Sequence, residues 1–181
     1  MKYPVQAVVL PKDMKGVKNG EIPTKLLDPI DGGHLHHLAA DAWYAMAVTA
    51  KAKGILLKPT SRWDLYRPYE RQEALFLARY QLKKRLTKVT RQWKGKVWYL
   101  KKGVAPAGVP GTSNHGWGLA VDVAYCSGKT LRWLLKNAAD FGFSWEVKEG
   151  ANAEAWHIRY HCGDNIPAKV AEVLTTNPRK K

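Results

Sequence analysis

Gly111-Thr-Ser113-Asn-His115-Gly-Trp-Gly118-Leu-Ala120-Val-Asp122 sets an imidazole, a two-glycine bend and a carboxylate side by side. Residues 119–124 read as a short apolar strand, and Asp122 lies inside it. A carboxylate in such a strand is costly unless it is paired or metal-bound. The second informative stretch is Glu154-Ala-Trp156-His157, which adds another imidazole and another carboxylate.

Two nitrogen donors and one oxygen donor suit Zn²⁺, which takes four near-tetrahedral ligands. Three protein ligands leave one position for water, which then ionises near neutral pH. A carboxylate that is not a ligand can move the water's proton to a leaving amine, and Glu154 fits that part. Spacing gives partial support. Positions 115 and 122 would face opposite sides of a continuous strand, so the bend at Gly116 and Gly118 is needed to bring them together. Positions 154 and 157 also alternate on a strand. Either a turn before Trp156 or a helical segment would put them on one side.

Outward from these stretches, the chain reads as a single α+β domain over 1–181, with an extended lead-in over 1–20 and a polar tail over 176–181. Apolar residues at helical spacing predict a helix over 35–53, closed by Gly54, and a second over 69–88. Residues 55–60, 95–100, 119–124, 143–147 and 156–160 read as strands. A third helix is expected over 129–141, N-capped by Ser127, and a short last one over 167–175. Helices and strands mix without regular alternation, which predicts a small, mostly antiparallel sheet flanked by helices. Residues 1–31 read as extended with short turns, and 103–111 as loop.

The 181 residues carry 30 basic and 15 acidic side chains, a net charge of +15. That balance attracts polyanions without choosing among them. Residues 83–102 hold nine Lys or Arg and no acid. With Trp93, Trp98 and Tyr99 interleaved, the run has the composition of a single-strand nucleic-acid surface, but no nucleic-acid module accompanies it, and a solvated, wall-facing surface is the expected reading. No stretch is long and apolar enough to span a membrane, and the first ten residues lack the apolar region of a signal peptide. Cys126 and Cys162 are too few for a disulfide scaffold and read as reduced core thiols. His34, His36 and His37 cluster in sequence, but no Cys or acidic neighbour completes a metal motif there, so they read as surface or packing residues. His161, on the expected last strand, is not expected to be a ligand.

The pattern Ser-x-His-x-x-Gly-x-Ala-x-Asp followed by Glu-x-Trp-His resembles the zinc D-alanyl-D-alanine carboxypeptidases of the VanY type. That group also includes phage endolysins cutting L-alanyl-D-glutamate bonds. Tyr66-Arg67-Pro68-Tyr69-Glu70-Arg71-Gln72 is similar to the family's Tyr-Arg segment, and Asn137-Ala138 with Phe141-Gly142-Phe143 to its later helix end. The resemblance spans roughly residues 20–165. It implies a Hedgehog/D-Ala-D-Ala peptidase-like fold and one zinc ion held by His115, Asp122 and His157. It makes Glu154 the base and Arg67 the guanidinium that steadies the oxyanion. Ser113, Arg67, Gln72 and Trp117 are expected along the substrate groove. Relatives have a tight Ser-Gly-Tyr-Arg turn, whereas Arg62-Trp63-Asp64-Leu65 separates Ser61 from Tyr66 here, so Arg62 stands as the alternative catalytic arginine. Arg71 is expected to be solvated.

The implied substrate is a peptidoglycan stem peptide, with anionic wall polymers as further partners, no specific nucleic acid and a monomeric chain. The absence of a signal and the strong charge suit a phage lytic enzyme, made in the host cytoplasm and acting on the wall; a chain of other origin is expected outside the cell or at the wall. The competing readings are a wall-binding module without turnover, against which the retained Glu154 argues, and a basic nucleic-acid binder.

Overall fold

The computed structural model describes residues 2–150 and 153–179. Strands β1 (Leu27–Ile30) and β2 (Gly33–His36) form a hairpin that runs directly into helix α1 (His37–Lys51). The sequence reading starts this helix two residues earlier. Gly32, with φ of 94°, turns the chain and commits Leu35 and His36 to the hairpin instead. One side of α1 is largely alanine: Ala39, Ala42 and Ala45 are fully buried alongside Trp43 and Met46. Small side chains let neighbouring elements approach the helix closely, and α4 (Ala168–Thr176) and β1 pack against it.

Residues 55–60 are extended but do not make a ladder strand. Thr60 N–H donates to Asp122 O, and Lys58 O accepts from Ala124, with a single bridge at Pro59. Proline has no N–H with which to continue the pairing. Helix α2 (Tyr69–Arg79) is nine residues shorter than its apolar spacing suggests. Tyr80 leaves the helical conformation (φ −118°, ψ 159°) and opens β3 (Tyr80–Gln81), which pairs with β5 (Lys96–Leu100). Continuing the helix would also stack Lys84, Arg85 and Lys88 at helical neighbour spacing, where like charges repel. Strand β5 is the centre of a three-stranded antiparallel sheet, with β4 (Thr90–Trp93) on its other side. Lys94 and Gly95, both at positive φ, close the β4–β5 hairpin, the backbone that a two-residue turn requires. Phe76, Tyr80, Trp93 and Leu100 form a separate small aromatic core beneath this sheet. Phe76 stacks on Tyr80 at 4.6 Å and meets Trp93 edge-on at 5.0 Å.

The main core lies between α1 and the sheet that carries Asp122 and His157. Its strand order is β6 (Ala120–Asp122), β8 (His157–Tyr160), β7 (Phe143–Trp145), all antiparallel. Helix α3 (Gly128–Asn137) ends in a 3-10 turn, Ala138–Phe141, rather than running on as one α-helix. Ser127 occupies the N-cap position but its hydroxyl makes no capping bond. Within the polar tail Arg179 pairs with Asp41 at 2.7 Å and with Asp28, while positions 180–181 lie outside the described residues. The architecture is a small α+β fold.

Candidate metal and active site

Antiparallel pairing of β6 with β8 sets Asp122 directly opposite His157. Opposed residues of such a pair have side chains only about 5 Å apart, so the register alone brings this carboxylate and imidazole together. His115 arrives from a 3-10 turn, Asn114–Trp117, that precedes β6. Gly118 ends the turn in the left-handed region (φ 61°) and accepts a hydrogen bond from His36 N–H through its carbonyl. Glu154 precedes β8 by a tight turn in which His157 N–H donates to Glu154 O at 3.2 Å. A turn, not a helix, reconciles the three-residue spacing with one site.

His157 Nδ1 lies 2.7 Å from Asp122 Oδ1, and His115 Nε2 lies 3.4 Å from Asp122 Oδ2. Donor atoms of the three residues fall within 4.8 Å of one another, a group that could hold a metal ion. Both histidines are buried. Burial drives the pKa of His115 below its ordinary value, which favours the neutral ring. Its Nδ1 donates to Leu65 O at 3.0 Å, which leaves Nε2 as a bare lone pair facing a carboxylate oxygen. Two electron-rich atoms facing each other in a buried pocket call for a cation between them. Burial opposes charge on Asp122 as well, but its histidine neighbours, with His157 Nδ1 donating to it at 2.7 Å, outweigh it and keep the carboxyl ionised well below the usual range.

The three residues open onto a groove of about 490 Å³. Arg67, Ser113, Glu154 and Trp156 line it, and Glu154 is exposed to it. Arg67 is aimed by Trp63 O, which accepts from Nε at 2.8 Å, and by Asp64, 3.1 Å from Nη2. Its backbone N–H also donates to His115 O, tying the arginine to the first histidine. Arg62 lies outside the groove, stacked at 4.6 Å on Trp63, and Arg71 lies at the same distance from that ring.

Two expected groove residues sit elsewhere. Gln72 is buried and binds Asn19 Oδ1, Arg67 O and Gly111 N–H, so it clamps the loops behind the groove. Trp117 is half-buried against the main core and lines a different cavity with residues 10–12 and 14–17. The sequence reading missed Glu146 and Arg79, which both line the groove. Glu146 accepts from Asn114 Nδ2 at 3.0 Å and lies 3.5 Å from His157 Nε2. Those contacts hold its carboxyl below the ordinary value. Arg79 donates to Pro106 O at 2.9 Å. Neither belongs to a motif, and the fold alone carries them to the site. His161 lies outside the group, and Cys126 and Cys162 are free thiols, with Cys126 raised to about 11 by burial. Among the described residues, no helix is long and apolar enough to cross a membrane.

Comparison with solved structures finds the LdcB LD-carboxypeptidase, described for its peptidoglycan recognition. It is 25% identical, with a TM-score of 0.52 over 97% of this chain and 75% of that one. VanYB in complex with D-alanine-D-alanine is 21% identical, with a TM-score of 0.51 over 96% of this chain and 93% of that one. A mutant of the vancomycin-resistance D,D-pentapeptidase VanY in complex with Zn(II) is 24% identical, with a TM-score of 0.49 over 77% and 82% of the two chains. No curated protein matches. The model of the VanY family, D-alanyl-D-alanine carboxypeptidase, matches residues 32–164, which hold all four motif residues, and the chain belongs to that family.

Proposed function

We propose that this protein is a zinc peptidase that hydrolyses peptidoglycan stem peptides, with His115, Asp122 and His157 as the metal ligands. The observation that carries this reading is the bare His115 Nε2 held against Asp122 Oδ2, with Glu154 and Arg67 facing the same groove. A zinc ion there would supply Lewis acidity and a water that ionises near neutral pH. Glu154 accepts a proton from the attacking water and returns it to the leaving amine. Arg67, held rigid by Asp64 and Trp63 O, presents its guanidinium to the carbonyl oxygen as charge develops on it. Ser113 binds the peptide along the wall.

Family membership and the LdcB likeness favour a carboxypeptidase over an endopeptidase, and Arg79 at the groove wall is suited to the terminal carboxylate of such a substrate. The second reading is a lytic enzyme of the phage type, which requires the endopeptidase cut. The net charge of +15 and the cationic hairpin sheet give a surface that anionic wall polymers attract.

The test is incubation with a defined pentapeptide muropeptide and mass spectrometry of the products. Loss of one D-alanine identifies the carboxypeptidase, and separation between L-alanine and D-glutamate the endopeptidase. An intact substrate at full zinc loading overturns the peptidase reading.

A further inference from the structure

A second group with the same donor composition lies outside the groove: Asp13, His36 and His37. The sequence around the histidines supplies no acidic partner, but the fold brings one from 23 residues upstream, on the 3-10 turn Lys12–Met14. His36 Nε2 lies 3.0 Å from one Asp13 carboxylate oxygen, and His37 Nε2 lies 2.7 Å from the other. The two rings sit against each other, centroids 4.4 Å apart. Both Nε2 atoms and a carboxylate thus converge on one point, as His115, His157 and Asp122 do.

The surroundings suit an ion. The His36 side chain is fully buried, with Nε2 turned to Asp13. Asp13 and His37 keep about a third of their side-chain surface exposed (34% and 30%), so solvent reaches the convergence point and can complete the coordination. Asp164 accepts from Lys12 N–H at 3.2 Å and so fixes the turn that carries Asp13, adding a second negative charge nearby. Three protein donors of nitrogen and oxygen type with an open fourth position match a tetrahedral divalent ion.

We infer that Asp13, His36 and His37 form a second divalent-cation site, of zinc type, that is structural and distinct from the candidate catalytic centre. An ion there cross-links residues 12–14 to the start of α1. The backbone of His36 in turn holds Gly118 O at 2.9 Å, inside the loop joining His115 to Asp122. The second site therefore braces the loop that shapes the first.

The test is equilibrium dialysis against Zn²⁺, with metal counted per folded chain by mass spectrometry and folding checked by circular dichroism. Wild type takes up two equivalents. Asp13→Asn and His37→Ala each take up one, His115→Ala takes up one, and His37→Ala with His115→Ala takes up none. His37 is partly exposed, so its variant tests the site should Asp13→Asn fail to fold. Zn²⁺ also raises the Tm of His115→Ala but not of the double variant. One equivalent in wild type with none in His115→Ala overturns the second site and leaves the catalytic reading standing. One equivalent in wild type with none in His37→Ala does the reverse.

Discussion

His157 Nδ1 and Asp122 Oδ1 face each other at 2.7 Å across a β6–β8 register pair. Burial disfavours charge on His157, but Asp122 and Glu146 more than offset it and hold its pKa up at about 9. The metal-free imidazole therefore carries a proton at pH 7.5, and a metal ligand must lose it. Zn²⁺ binding at that pH releases about one proton from this residue. Calorimetry in two buffers of different ionisation heat measures it, and equal heats in both would contradict the assignment. A raised folded-state pKa contributes stability that is complete below the unfolded value and is lost as pH climbs through about 9. Metal-free Tm accordingly falls between pH 7 and 9.

Glu154 is exposed at the groove, and under the proposed function it moves protons rather than binding metal. Glu154→Gln keeps its zinc and loses roughly 10²–10⁴-fold in kcat, the usual worth of a general base. Metal content and turnover are read on the same sample. A variant with intact zinc and undiminished kcat moves the base elsewhere, Glu146 being the nearest other carboxylate.

Glu146 holds Asn114 and faces the far nitrogen of His157. Partners on the outer nitrogen of a ligating imidazole orient the ring and strengthen it as a donor. Glu146→Gln lowers zinc affinity about 10- to 100-fold while kcat at saturating metal changes little. Competition with a chromophoric chelator measures the affinity. Unchanged affinity with a collapsed kcat would instead make Glu146 a participant in the chemistry.

Arg67 and Arg79 divide the groove's positive charge. Arg67→Ala lowers kcat by about 10²–10³-fold, as loss of an oxyanion donor does. Arg79→Ala raises KM for a substrate with a free terminal carboxylate and leaves an amidated analogue unaffected. Equal effects on the two substrates would remove Arg79 from carboxylate recognition.

The candidate ligands were legible in sequence because each sits in a dense local motif, and the strand around Asp122 was visible from its apolar neighbours. The juxtaposition itself was not, since alternation along a single strand separates residues that cross-strand register unites. Glu146, Arg79 and Asp13 carry no local signal and reach their clusters through pairing and turns distant in sequence. The helix periodicity through residues 80–88 misled for a related reason. Tyr80 instead pairs with Leu100 as the first residue of β3, a pairing that another helical turn would forgo. Gln72 was visible as a motif residue, but its position behind the groove follows from the Asn19 and Gly111 contacts that only the fold creates.

Those contacts make Gly116 the most sensitive backbone position near the site. Its carbonyl accepts from Gly20 N–H at 2.8 Å, and a Cβ there would collide with Asn19 Oδ1 and Gln72 Nε2. Both are locked, Asn19 by Ser113 O at 2.8 Å and Gln72 by Gly111 N–H and Arg67 O, so neither can swing away without breaking buried hydrogen bonds. Overpacking of this kind costs roughly 1–3 kcal/mol. Gly116→Ala lowers the denaturation midpoint accordingly and also displaces the backbone that positions His115 and Arg67, so kcat falls in the fraction that remains folded. Glu172→Ala on the exposed surface of α4 serves as the control, with stability and kcat both unchanged. Full stability in Gly116→Ala would mean that the Asn19–Gln72 clamp yields freely, and that the rigidity assigned to the loop before β6 comes from elsewhere.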